Sequence, residues 1–222
     1  REKAIHTKTT ARKQNMEYIN SLEELMNAKD KLYKQYVEFL KSSYIKENDK
    51  KIEQLLNAIY ISMPDFNIEQ ILDYRLSWLE LTILNNLSAA YSDSSTPSIG
   101  IQYFYNILQY LDFNNIDILF RKTISGITTM MLFKHLYSQK RYSEMLEKKY
   151  LLSFSASCIS HDTVTLSNVY AHFCQALGEC GYIEELVINA HYSLACYKLY
   201  ENNEKIALIQ KFIKEDFNID IS

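Results

Sequence analysis

The sequence predicts an all-α protein built as a solenoid of helix pairs, and three observations carry that expectation. Only four Gly and two Pro occur in 222 residues, which leaves few of the residues that hairpins and strand ends require. Apolar residues recur at helical spacing, three and four apart, in segment after segment. Three stretches, "AAYSDSSTPSIGIQYF", "HLYSQKRYSEMLEKKY" and "QALGECGYIEELVINA", repeat one plan: a helix end, a short polar turn, the start of a second helix. Their anchors Tyr91, Tyr137 and Leu177 stand 46 and 40 residues apart, and pairs recurring at such a period mark stacked repeats.

Each element follows from local signals. Residues around 10–27 and 29–45 read as two polar amphipathic helices, and "KKIEQLLNAIYIS" as a third that Pro64 stops. A long helix is expected over about 68–92, ending in "SDSSTPS", where Thr96 can cap and Pro97 can open a partner over about 97–111. A second pair is expected over about 115–138 and 141–157, and a third over about 161–179 and 182–200, broken at Gly178 and Gly181. A capping helix over about 203–216 closes the array. The division is into residues 1–51, polar helices leading from a domain ahead, and residues 52–222, a binding and dimerisation domain.

Charge and cysteine usage narrow the function classes. Residues 1–51 hold twelve Lys and Arg against eight Asp and Glu, while the rest hold twelve against nineteen. An acidic body is a poor surface for phosphate backbones, so direct nucleic-acid binding by residues 52–222 is not expected. Cys158, Cys174, Cys180 and Cys196 form no CxxC pair and lie within apolar helical patterns, which reads as small buried thiols. No HExxH, phosphate loop or nucleophile elbow is present, and neither catalysis, a metal nor a cofactor is expected. No apolar run approaches a membrane span and no leader opens the sequence, so the expected location is the cytoplasm.

The stretch "WLELTILNNLSAAY", residues 78–91, points to a ligand. Leu76, Ile83, Leu87 and Ala90 make a core row, but the row Trp78, Thr82, Asn85 and Ala89 carries none of the Lys and Glu of a solvated face. Counted back from the anchors, comparable rows are Leu79, Thr82, Asn86 and Ala89; Ser125, Thr128, Leu132 and His135; and Thr165, Asn168, His172 and Gln175. Asn and Gln join a donor to an acceptor, so such rows can pair with the N–H and C=O groups of an extended peptide of any sequence. Trp78, Met131 and Tyr170 would then receive its side chains. The same small polar residues would equally fill close helix–helix contacts.

"ILNNLSAAY" (83–91), "LFKHLYSQKRYSEMLEKKYLLS" (132–153) and "NVYAHFCQALGECGYIEELVINAHYSLACYKLY" (168–200) resemble the degenerate tetratricopeptide repeats of PlcR-type and Rgg-type peptide-pheromone receptors of Gram-positive bacteria. The resemblance covers about residues 68–216. It implies a right-handed superhelix whose concave face binds a short signalling peptide, in a quorum-sensing transcription regulator that contacts DNA through an N-terminal helix-turn-helix. In that pattern an Asn six positions before the Tyr ending the inner helix holds peptide backbone. Asn85 before Tyr91 matches, and Met131 stands at the second pair's equivalent. Residues 1–51 contain no helix-turn-helix pattern, so the expectation is that such a domain precedes Arg1. Two other classes remain open: a generic tetratricopeptide-like scaffold for partner proteins, and a phosphatase of the related aspartyl-phosphate family using Glu23, Glu24 and Gln35. Val187, Leu194, Tyr197, Ile209 and Phe212 supply more apolar surface than a terminal helix needs, which predicts a homodimer.

Overall fold

The computed structural model describes residues 15–17, 19–21, 30–114, 117–149, 163–199 and 201–221. Among them the regular structure is helical and no strand occurs. No helix of the described residues is long and apolar enough to cross a membrane. The chain divides into two compact units, residues 1–107 and 108–222, and the division falls within one helix.

In the first unit, α1 (Lys31–Ser42) begins where the Asp30 carboxylate accepts from the Tyr33 N–H at 3.2 Å. It packs on α2 (Asn48–Ser62). Gln35 Nε2 donates to Ser62 Oγ at 2.7 Å and Gln54 Nε2 to the Glu38 carbonyl at 3.2 Å. Early residues of α1 thus meet late ones of α2, so the pair is antiparallel. Pro64 follows the end of α2, as expected.

The long helix expected over 68–92 is two elements. Ile68–Asp73 forms a 3-10 helix, held at its base by Tyr74, whose hydroxyl donates to the Asp65 carbonyl at 3.0 Å and accepts from the Asn67 N–H at 3.1 Å. Tyr74 is extended, and α3 (Trp78–Ser92) starts afresh. The cause is a capping box: Ser77 Oγ accepts from the Glu80 N–H, and Glu80 Oε2 accepts from the Ser77 N–H at 2.6 Å. Leu76 and Leu81, both buried, occupy the two staple positions around it. Helix α4 (Pro97–Phe113) opens on Pro97, whose missing N–H lies where a helix has no intrahelical partner for one.

Gly100 sets the distance between α3 and α4. A Cβ there would fall far inside contact with Ser88 O, Ser92 N and Ser92 Oγ. Tyr91 and Tyr103 pack edge to face beside it, ring centroids 5.4 Å apart, and burial pushes the Tyr103 phenol up to about 12. Leu55, Ile59, Leu81, Ile83, Leu84, Leu87 and Phe104 are fully enclosed. Each such aliphatic side chain contributes roughly 1.5–3 kcal/mol by leaving water.

In the second unit, α5 (Ile118–Ser138) is followed by the short α6 (Tyr142–Glu147). The expected helix over 141–157 therefore ends at Glu147, and residues 150–157 lie outside the described residues. Helices α7 (Thr163–Glu179) and α8 (Ile183–Leu199) form an antiparallel hairpin, and α9 (Asn203–Phe217) packs on α8. Helix α5 packs on α7.

Three of these helices end alike. Lys140, Gly181 and Glu201 take left-handed φ of 57°, 80° and 53°. At each end the next residue's N–H returns to a carbonyl five residues back: Arg141 to Leu136, Tyr182 to Leu177, Asn202 to Tyr197. Gly181 thus ends α7 as expected. Gly178 does not break it: the helix continues to Glu179, and Gly178 instead seats the ring of Phe217.

Candidate functional site

The core row read from the sequence at α3 is in place, and α7 carries an equivalent one. Leu76, Ile83, Leu87 and Ala90 are buried in the first unit, and Val169, Phe173, Ala176 and Leu177 in the second. The polar rows divide. Thr82, Asn86 and Ala89 on α3 and Asn168, His172 and Gln175 on α7 are half-buried, and Trp78 is 47 % exposed. Thr165 is helical, and its side chain lies outside the described set.

Two expectations about open faces need correction. Asn85 is 2 % exposed, its carboxamide donating to the Leu81 carbonyl at 3.2 Å. It turns into the core because it lies about 100° round the helix from Asn86. On α5 the whole expected row, Ser125, Thr128, Leu132 and His135, is buried. Thr128 satisfies its hydroxyl within the helix, donating to the Ile124 carbonyl at 2.7 Å.

The helix ends give the physical reason. Leu136 and Leu177 occupy the same position in matching turns, so the second and third pairs align at a spacing of 41, not the 40 given by Tyr137. With that shift, Asn168, His172 and Gln175 correspond to Ile127, Met131 and Lys134, which are half-buried, half-buried and exposed. Val169, Phe173 and Ala176 correspond to buried Thr128, Leu132 and His135. Helices α5 and α7 keep one burial pattern, and Met131 alone of the α5 candidates sits on the open side.

Each unit contains a cleft that gathers some candidates. In the first, Leu32, Tyr33, Tyr36 and Phe39 of α1 face Trp78, Leu79 and Thr82 of α3 across a cleft of about 530 Å³, with Asp30 and Ser77 at its ends. Its lining is predominantly apolar. Asn86 is not part of it; its carboxamide donates to the Thr82 carbonyl at 2.9 Å.

In the second unit, a cleft of about 260 Å³ lies between Asn168, Ala171, His172 and Gln175 of α7 and Lys205, Leu208, Ile209, Phe212 and Ile213 of α9. Tyr197 of α8 and Cys174 also line it. The Tyr197 hydroxyl donates to Asn168 Oδ1 at 2.5 Å, which leaves the Asn168 amide N–H groups unused. His172 Nδ1 meets Gln175 Oε1 at 3.1 Å. With the Gln175 carboxamide oxygen facing the ring, it is the tautomer protonated on Nδ1 that makes this bond, and that tautomer leaves Nε2 as an acceptor.

Burial holds the His172 pKa below its usual value, helped by Lys134 and Lys205 and opposed by the Gln175 bond. The imidazole is therefore neutral near pH 7, and the row presents donor, acceptor and donor in turn from Asn168, His172 and Gln175. Burial also pushes the Cys174 thiol up to about 12, and it donates to the Leu186 carbonyl at 3.7 Å, which makes it an inert core group.

Of the other cysteines, Cys196 is half-buried and Cys180 is exposed, against the expectation of burial, because it follows the end of α7; Cys158 lies outside the described residues. Gln35, a candidate for phosphatase chemistry, is buried and bonded to Ser62, while Glu23 and Glu24 lie outside the described residues. Among the described residues no cluster of His, Cys, Asp and Glu is placed to hold a metal ion. The α9 wall of the second cleft is not legible in the sequence, where Leu208 reads as part of the capping helix and Ile209 and Phe212 as a dimer surface. Comparison with protein-family models, with curated proteins and with solved structures finds no match.

Proposed function

We propose that this chain binds a short peptide, one extended end of which lies in the cleft between α7 and α9, as the regulatory part of a peptide-responsive transcription regulator. One observation carries the reading: the polar row Asn168, His172 and Gln175 faces an apolar wall of Leu208, Ile209, Phe212 and Ile213 within a single cleft. Such a pairing suits a ligand with backbone polar groups on one edge and apolar side chains on the other. The backbone is matched by the alternation of donor and acceptor, so recognition does not depend on one peptide sequence.

The recurring helix ends and the shared burial pattern of α5 and α7 support tetratricopeptide-like repeats, and with them the solenoid that the sequence suggests. In this reading operator contacts belong to an attached helix-turn-helix, the protein works in the cytoplasm, and pairing of two chains uses the outer face of α8. Helix α8 is apolar on both sides. Leu186, Ala190, Leu194 and Tyr197 are buried, while Ile188, Tyr192, Ala195 and Leu199 form an exposed row at spacings of four, three and four. A contiguous exposed apolar row of this kind is what an interaction surface presents.

Mass spectrometry of small ligands retained through native purification from the source organism tests the peptide reading. A defined short peptide, rebinding to stripped protein by calorimetry and losing affinity in Asn168→Ala, is the expected result. Retention of a partner protein instead, with no peptide rebinding, would favour a scaffold whose docking site is the larger α1/α3 cleft.

A further inference from the structure

The α7/α9 cleft is small for a complete ligand. Its volume of about 260 Å³ falls below the roughly 300–1,000 Å³ of sites that enclose a whole small molecule, so it suits the end of a chain better than its middle. Its charge is also one-sided. Lys205 lines it, and Lys134, at the open position of α5 that corresponds to Gln175, acts with Lys205 on His172. Neither ammonium has an ion-pair partner among the described residues, although residues 52–222 are acidic as a whole. Glu201 and Glu204, the acidic residues nearest Lys205 in sequence, are exposed and do not pair with it. One cation lining the same cleft as the donor groups of Asn168 and Gln175, with a second acting on the neighbouring His172, is complementary to a planar anion.

Resting on the peptide reading above, we propose that this cleft holds the carboxylate end of the peptide: Lys205 and Lys134 attract the C-terminal carboxylate, Asn168 or Gln175 donates to it, and the last side chain lies against Leu208 and Phe212. Orientation follows from this. The peptide's C-terminus is fixed at the Lys205 end and the rest of the chain leaves the cleft. An amidated or extended peptide loses the charge that the two lysines match.

The test uses acetyl-capped tetrapeptides of leucine, valine and phenylalanine, made with a free C-terminal carboxylate, with a carboxamide, and with a carboxamide following a terminal glutamate. Hexanoate serves as a minimal carboxylate and hexanol as its neutral control. Calorimetry gives affinities, and the imidazole resonances of His172, assigned by their loss in H172N, report occupancy of the cleft. The free acid is expected to bind about tenfold more tightly than the amide. That preference should fall to about twofold or less in Lys205→Met, which keeps most of the apolar stem, and should return in Lys205→Arg. A melting temperature unchanged from wild type shows that each variant is folded.

Equal affinity of acid and amide would overturn the carboxylate assignment and leave peptide binding standing. Preference for the glutamate amide over the free acid would also overturn it, by moving the anion to a side chain. If no tetrapeptide binds but hexanoate shifts His172 and hexanol does not, the anion site stands and the peptide reading falls. If nothing shifts His172, both fall.

Discussion

Adding one methyl group at Gly100 tests how closely α3 and α4 pack. In Gly100→Ala the new Cβ meets Ser88 O and Ser92 N, backbone atoms fixed by α3's own hydrogen-bond ladder, as well as Ser92 Oγ. No side-chain rotation can relieve the first two, so the helices must separate. Overpacking of this kind costs about 1–3 kcal/mol, and the upper half applies where backbone obstructs. Replacing a mid-helix glycine by alanine returns about 1 kcal/mol, for a net loss of about 1–2 kcal/mol. For a chain of this size that lowers the melting temperature by roughly 2–8 °C, and urea unfolding followed by circular dichroism measures it directly. Gly178→Ala is the control, because there the obstacle is the Phe217 ring near the end of α9, which can swing aside. Its cost should stay within about 1 kcal/mol of zero once the helix-propensity gain is counted. A Gly100→Ala protein as stable as wild type would refute the close approach of α3 and α4.

Asn85→Ala should reduce stability by about 1–2 kcal/mol, since it removes a buried amide bonded within α3, and leave peptide affinity unchanged. Asn168→Ala should instead weaken peptide binding by about 0.5–1.5 kcal/mol with a smaller effect on melting; calorimetry and thermal melts separate the two. The lowered pKa of His172 means that the unfolded chain binds more protons between the folded value and about 6.5. Stability is therefore complete above about pH 6.5 and declines as the pH falls through the folded value; denaturant titrations should show this slope flattened in His172→Asn. Lys140 carries a side chain in a left-handed position, so Lys140→Gly should raise stability by about 1 kcal/mol by denaturant titration, and no gain would contradict the turn geometry. Tyr192→Glu with Leu199→Glu should convert a dimer to a 26.1 kDa monomer in light scattering without lowering the melting temperature of the protomer; wild type that is already monomeric would end the proposed α8 pairing.

Helical content was plain in the sequence because scarce glycine and steady three-four spacing act together, and helix ends were found within a few residues wherever a glycine, a proline or a polar turn intervened. Two things were hidden. The break before α3 is encoded by Ser77 and Glu80, a capping box set inside an otherwise continuous apolar pattern. The open row of α5 was displaced by one residue because the aromatic Tyr137 was matched to Leu177. The left-handed turn matches Leu136 instead, and one residue is 100° of helix. Small polar residues compounded the error, since Ser125 and Thr128 look alike whether they face a ligand or a neighbouring helix. Of the residues from which a homodimer is expected, Leu194 and Tyr197 are core, and the exposed apolar residues of α8 are instead Ile188, Tyr192 and Leu199.

The hairpin of α7 and α8 contains a pair of serines that exchange hydrogen bonds. Ser167 Oγ donates to the Ser193 carbonyl at 2.8 Å, and Ser193 Oγ to the Ser167 carbonyl at 3.0 Å, both out of water. Sliding one helix along the other by a residue would strand both hydroxyls, at roughly 1–3 kcal/mol for each unmet group. The exchange therefore works as a detent: the hairpin has one stop, and small forces do not move it between stops. Asn168 follows Ser167 directly and Tyr197 lies one turn beyond Ser193, so the rungs of the polar wall are set before any ligand arrives. On the proposed peptide reading, adjustment to ligands of different bulk falls to the opposite, apolar wall, so that α9 would be the compliant jaw of a vice whose other jaw is fixed.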